Sequence, residues 1–365
     1  MALTALFVLS PLPSGDALAA AQKKKPQASA LDSNWQKTFA LIGNKQDPVA
    51  QKLVVWLYAT ETEIAADPKA LMQFAASNPD WPRLHQIRRK IEPNIAGVAK
   101  PADIATWFKN NPPLTYDGLK AYLDALIATG QTEAARSALA ELWPEMELKK
   151  NQVSSIISTY KKLFNAGAQQ KRLDNLIWAE RFDEAEAMLA FVTAEQRAVG
   201  HARLSLARQR PDATAAVAKI PAVLARDEGL LFERLRYRRR KDPGDSALEI
   251  LAQAPAKQTR PDIWWKEIHI LARRAIEKKD YKSAYRISSR HQTFEGSSFA
   301  QAEWLLGWIS LRYLNDAPTA YRHFDKMYRN VDSAISRARG AHWAALTSEK
   351  LKEKATADQW HKIAA

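Results

Sequence analysis

The chain has 365 residues, room for about two or three domains, and 46% of them are hydrophobic, ample for a large core. It carries 54 Lys and Arg against 40 Asp and Glu, a net charge of +14, and no cysteine. The missing thiols exclude disulfides, Cys-based zinc sites and thiol catalysis, while the basic balance points to an anionic partner: nucleic acid, anionic lipid or an acidic polymer.

Residues 1–19 read as an export signal. Ala2 to Leu12 form an apolar run, and Ala17-Leu18-Ala19 places small residues where a signal peptidase reads them. No Lys or Arg precedes the run, so either the true start lies upstream or the signal is weak; the other reading is a frayed apolar terminus. The run is too short for a membrane span, and no second apolar segment of spanning length follows. Export puts the protein in the periplasm, an oxidising compartment that suits a thiol-free chain. It also removes nucleic acid from the anionic partners and leaves peptidoglycan, whose peptide stems carry carboxylates, as the natural one.

Residues 20–34, with Lys23-Lys24-Lys25-Pro26 and small residues, read as a linker. From Trp35 onward the pattern is helical. Glycine is scarce at 12 residues, whereas the strong helix formers Ala, Leu, Lys, Arg, Glu and Gln dominate. No stretch alternates β-branched residues with period two, so the expected class is all-α. Pro48, Pro68, Pro101, Pro211, Pro261 and others punctuate the chain between helices.

Four helical hairpins stand out in chain order. Tyr116 to Ala128 pairs with Thr132 to Leu142, Arg172 to Glu180 with Asp183 to Phe191, Ile263 to Glu277 with Tyr281 to Arg290, and Phe299 to Leu314 with Pro318 to Arg329. Their turns align as Gly130-Gln131-Thr132 before Ala135, Glu180-Arg181-Phe182 before Ala185, Lys279-Asp280-Tyr281 before Ala284 and Asn315-Asp316-Ala317 before Ala320. A small residue at the last position lets the second helix approach the first. This is the logic of tetratricopeptide-type repeats, which stack into a solenoid or superhelix, here a degenerate one because the alanines are unevenly spaced.

Candidate chemistry is sparse. Trp304 and Trp308 share a helical face, and adjacent Trp264 and Trp265 point apart. They are read as core wedges in preference to sugar-stacking platforms. Arg234, Arg236, Arg238, Arg239 and Arg240 make the densest basic run, either a solvated helix face or the wall of a groove for an anionic glycan. No two of the seven histidines have a familiar ligand spacing, so no metal is expected, and no phosphate loop or other motif calls for a cofactor. Glu61 and Glu63, Glu145 and Glu147, and Glu184 and Glu186 lie two apart and diverge on a helix, so they read as surface charges.

Several segments together resemble one family. They are Asn78-Pro79-Asp80-Trp81-Pro82, Pro112-Pro113-Leu114-Thr115, Asn175-Leu176-Ile177-Trp178 leading to Phe182-Asp183-Glu184-Ala185, and Arg260-Pro261-Asp262-Ile263-Trp264-Trp265. Glu303-Trp304-Leu305-Leu306-Gly307-Trp308, Phe324-Asp325-Lys326-Met327-Tyr328-Arg329 and Ser336-Arg337-Ala338-Arg339-Gly340 complete the set. In order and spacing they resemble the helical part of soluble lytic murein transglycosylases over about residues 35 to 363. The resemblance implies a ring-shaped α-superhelix over 35–365, peptidoglycan glycan strands as partner and other periplasmic cell-wall enzymes as further partners. In that family a lysozyme-like domain, expected here after residue 365, cleaves the MurNAc–GlcNAc bond and leaves a 1,6-anhydro product through a glutamate in a Glu-Ser pair. No Glu-Ser pair occurs in this sequence, so no catalytic residue can be carried over. Two expectations stay open: the superhelical part of a peptidoglycan lyase, itself inactive, or a non-enzymatic periplasmic scaffold or glycan-binding module.

Overall fold

The computed structural model describes residues 47–61, 68–242 and 246–365, with Lys37 and Thr38 besides; the export signal and linker expected over 1–34 lie outside them. The described residues are helical, with nineteen α-helices joined by turns and four short 3-10 segments, and no strand among them. None of these helices is long and apolar enough to cross a membrane. Two compact units meet in sequence at Val192 and Thr193.

The first unit opens with α1 (Pro48–Glu61), α2 (Pro68–Ser77) and α3 (Leu84–Ile91), packed through buried Tyr58, Leu71, Phe74, Ile87 and Ile91. Asn78-Pro79-Asp80-Trp81-Pro82 is a helix stop. Asn78 is buried, and its Nδ2 donates to the Phe74 carbonyl at 2.8 Å, an acceptor the end of α2 leaves free. Trp81 stands edge-on to Phe74 and Trp56, and the Trp56 indole donates to the Pro82 carbonyl at 2.7 Å.

A 3-10 segment (Glu92–Gly97) leads to α4 (Pro101–Asn110), α5 (Tyr116–Ala128), α6 (Thr132–Leu142), α7 (Lys150–Thr159), α8 (Ala168–Trp178) and α9 (Phe182–Met188). Buried Glu92 accepts the Leu114 N–H on both oxygens, at 2.9 and 3.0 Å, which fixes the Pro112-Pro113-Leu114-Thr115 entry to α5. Thr115 then caps α5 by accepting from the Gly118 N–H at 3.0 Å. A side chain at Gly118 would collide with the Glu92 carboxylate. Arg172 on α8 is fully buried, its guanidinium 4.6 Å over the Trp143 ring. It donates to the Trp143 carbonyl and, at 2.9 Å, to the Met146 carbonyl, with Glu184 3.9 Å away. Burial pushes it down to about 10, so it remains charged at neutral pH and must keep those partners.

The second unit holds α10 (Ala194–Ala207), α11 (Ala213–Ala218), α12 (Glu228–Lys241), α13 (Ser246–Leu251), α14 (Pro261–Glu277) and α15 (Tyr281–Ser288). It continues with α16 (Gly296–Arg312), α17 (Ala317–Arg329), α18 (Ala334–Lys350) and α19 (Lys354–Ala364). From α14 onward each helix packs on the next. The contacts are close because they are small: Ala302, Ala320, Ala341, Ala344 and Ala345 are sealed from solvent. A Cβ on Gly307 would come within 2.6 Å of the Phe324 ring, so α16 and α17 cross at a distance only glycine allows.

The hairpin turns read from the sequence share a left-handed residue. Gly130, Glu180, Lys279 and Asn315 all adopt the left-handed conformation, with φ of 74°, 58°, 60° and 53°. The next residue's N–H reaches back into the finished helix: Gln131 to the Leu126 carbonyl (2.8 Å), Arg181 to Leu176 (2.9 Å), Asp280 to Ala275 (2.9 Å) and Asp316 to Ser310 (3.0 Å). The first three are Schellman-type ends and the fourth reaches one residue further back; all satisfy carbonyls that the last turn would leave bare. Ala135, Ala185, Ala284 and Ala320 are each 0% exposed, the close-contact role their position implies. Two more turns of this kind, at Gln209 and Lys352, are followed by buried Ala213 and Ala357.

Helix limits differ modestly from the sequence reading. The helix expected from Arg172 begins at Ala168, and its partner, expected to reach Phe191, ends at Met188 and tightens into a 3-10 turn (Leu189–Phe191). The helix expected from Ile263 begins at Pro261. Pro48, Pro68 and Pro101 also occupy first helical positions, where proline's fixed φ helps and its missing N–H costs nothing. These prolines start helices instead of separating them.

Candidate functional site

The five arginines singled out in sequence lie on α12. Asp227 caps that helix by accepting from the Leu230 N–H at 2.8 Å, and Leu230, Leu231, Phe232 and Leu235 bury one side of it. Arg239 grips the buried Glu267 of α14 with two donors, one at 3.0 Å, and Arg236 lies 3.8 Å from the same carboxylate and 3.7 Å from Glu233. Arg238 donates to the Ser246 carbonyl (2.9 Å) and to Glu249 (2.8 Å), and Arg240 to the Ala207 carbonyl (3.3 Å). Arg234 is half-buried, its pKa lowered by desolvation and by Arg238. The run is therefore a solvated face only in part, Arg240 being exposed. The side chains of Arg236 and Arg239 are only 13% and 14% exposed, and the set ties α12 to α10, α13 and α14. Sequence reasoning missed this because the carboxylate that collects the charges, Glu267, lies on another helix.

The tryptophans separate into two groups. Trp264 and Trp265 are buried wedges at 0% and 2% exposure. Trp264 donates to Glu228 (3.0 Å) and meets Phe232 edge-on, while Trp265 donates to Gln301 (3.3 Å) and stacks on His269. Trp304 and Trp308 are half-buried and begin a connected row of rings. They stack with centroids 5.7 Å apart, Trp308 meets Tyr313 edge-on at 5.0 Å, and Tyr313 stacks on Tyr281 at 3.9 Å. On the other side Trp304 meets Trp343 edge-on at 5.9 Å. Two exposed arginines cover the row: Arg339 lies 4.0 Å over Trp304 and Arg312 5.6 Å over Trp343. Such stacking immobilises guanidinium groups while leaving their N–H edges free for a carboxylate.

A third cluster had no signature in the sequence. Glu303 on α16 is fully buried, and His323 Nδ1 and Lys326 Nζ approach it at 2.6 Å, with His291 Nε2 at 3.3 Å. His323 Nε2 pairs with the Tyr285 hydroxyl (3.0 Å) and His291 Nδ1 with Thr293 (2.9 Å). Burial alone would raise the Glu303 pKa, but hydrogen bonds from His291, His323 and Lys326 override it and hold the carboxyl far below its usual range. A carboxylate held ionised in this way cannot donate a proton near neutrality. Lys326 occupies the place a cation would take, and no group of metal-binding side chains occurs among the described residues. Glu92 has the opposite shift, upward, caused first by burial; its two oxygens are already committed to Leu114.

No family model matches the chain, and no curated protein matches it.

Proposed function

We propose that this chain acts in the bacterial periplasm as a peptidoglycan-associated helical repeat of the soluble lytic transglycosylase type. Its hairpins stack into a superhelix, and its part is to hold glycan strands, not to cut them. The observation that carries this reading is the row of aromatic rings from Tyr281 to Trp343 under Arg312 and Arg339. It lies in the stretch of sequence that most resembles that family. Flat apolar rings suit the C–H faces of sugars, and fixed guanidinium groups suit the carboxylates of peptide stems.

Two features support it. The left-handed turn followed by a buried alanine is a repeating unit of the kind that stacks into solenoids. The buried carboxylates serve as anchors, whereas an acid that cleaves a glycosidic bond needs a raised pKa on an open site.

The test is a pull-down with purified sacculi. The protein should sediment with them at low salt and be released at high salt, because exposed charges are screened within about 8–10 Å at physiological ionic strength. Exchanging Arg312 and Arg339 together for alanine should lower the bound fraction. A yield indifferent to salt and to both arginines would refute the binding reading, and release of 1,6-anhydro-muropeptides would refute the claim that these residues do not cut.

A further inference from the structure

The first unit contains an open cleft of about 680 Å³ bounded by α4, α5 and α6. That volume lies within the range of roughly 300–1,000 Å³ that holds small ligands. Phe108 and Tyr122 give it an aromatic floor, and Ala134 and Ala138 keep one wall shallow. Its two charged groups come from different helices and have opposite sign: Lys109 from α4 and Glu141 from α6. Both are exposed, and neither forms an ion pair or hydrogen bond with another described residue. Glu141 lines the cleft together with Tyr122, whose hydroxyl is raised by burial first and by Glu141 second.

We infer that this cleft binds a short peptide with free termini, its carboxylate on Lys109 and its ammonium on Glu141. The charges decide the class. A phosphate or polyanionic ligand would meet Glu141 as well as Lys109, and a simple amine would leave Lys109 unanswered. A zwitterion answers both, and each contact is a charge-assisted hydrogen bond. Ala134 and Ala138 leave that wall open to the main chain of a peptide. The aromatic floor supplies the apolar contact that fixes the middle of the ligand. The inference rests on Lys109 and Glu141 alone and stands apart from the glycan reading.

The experiment is calorimetric titration of the full chain with trialanine, in the L and D configurations, and with N-acetyl-trialanine amide. Free trialanine of one or both configurations should bind, and the blocked peptide should bind at least about tenfold more weakly, since it lacks both charged contacts. Lys109→Met and Glu141→Gln should each weaken trialanine by about tenfold while leaving the blocked peptide unchanged. Neither residue has a protein partner, so both variants should melt with the wild type, which separates lost binding from lost fold. No heat with either configuration at millimolar peptide, or equal affinity for free and blocked forms, would overturn the assignment. So would wild-type affinity in both variants.

Discussion

Glu303→Gln perturbs the most tightly bound charge in the second unit. The wild-type carboxylate is sealed from solvent and receives His323 and Lys326 at 2.6 Å and His291 at 3.3 Å. Glutamine has the same shape without the charge. A hydrogen bond to a charged group contributes about 1.5–3 kcal/mol against about 0.5–1.5 for a neutral one, so each shielded histidine contact gives up about 1 kcal/mol. The Lys326 side chain is 55% exposed and recovers water, so its loss is small. The new amide also turns an NH₂ group toward donors, which adds about 1 kcal/mol or more. The expected cost is about 3 kcal/mol, read as a shift in the urea midpoint at constant slope near pH 7. The pH dependence gives a second check. The wild-type group titrates below its ordinary value of 4.5, so its contribution is complete above that pH and is lost as pH falls further. Glutamine does not titrate, and the gap between the two proteins should therefore close on acidification. A gap below about 1 kcal/mol near neutrality, or one that stays constant into strong acid, would refute the view that an ionised Glu303 holds these helices together.

Arg172→Met should cost about 3–5 kcal/mol in urea unfolding, because the Trp143 and Met146 carbonyls and Glu184 lose their donor inside the fold; a loss under about 1 kcal/mol would mean ring packing alone fixes that turn. Ala320→Leu places extra volume at a site that is 0% exposed and should lower stability by about 1–3 kcal/mol, seen as a lower melting temperature. An unchanged melt would show that α16 and α17 are not in close contact there. Lys279→Gly should do the reverse: a left-handed non-glycine residue costs about 1–2 kcal/mol, of which glycine recovers part after its own entropy loss. A lower melting temperature for this variant would show that the Lys279 side chain contributes more than its backbone strain costs.

What the sequence revealed and what it hid follow from the range of the interactions. The hairpin turns were legible because a Schellman end is local: the left-handed residue, the N–H that reaches back and the buried alanine all lie within a few positions. Gly130 and Asn315 are residue types that favour that conformation, and the alignment extended the reading to Glu180 and Lys279. Gln209 and Lys352 carry no such mark and went unread. The all-helical class was legible for the same reason, as the summed preference of many residues. The charge network was not. Glu267 collects Arg236 and Arg239 from α12, and Glu303 collects His291 and His323 from a loop and a neighbouring helix. Spacing along one helix carries no information about partners on another, so the arginine run looked solvated and the histidines looked unrelated. Trp264 and Trp265 were legible as wedges, whereas the partial exposure of Trp304 and Trp308 depends on how α16 lies against α18.

The disposition of buried acids bears on the choice between holding a glycan and cutting one. Cleavage of a sugar linkage requires a carboxyl that keeps its proton near neutrality and reaches an open groove. Three of the buried glutamates depart from that requirement in different ways. Glu303 is sealed from solvent and held ionised by three donors. Glu267 is clasped by Arg239 with Arg236 beside it. Glu92 has the raised pKa, yet both oxygens accept the Leu114 N–H and the carboxylate lies against Gly118, leaving no space for a substrate oxygen. Each of these acids joins segments distant in sequence, so neutralising one should register as lost stability before it registers as lost chemistry. The groups proposed to meet a ligand are of another sort: Arg312 and Arg339 over their rings, and Lys109 and Glu141 on the lining of the α4–α6 cleft, all of which attract and orient by charge.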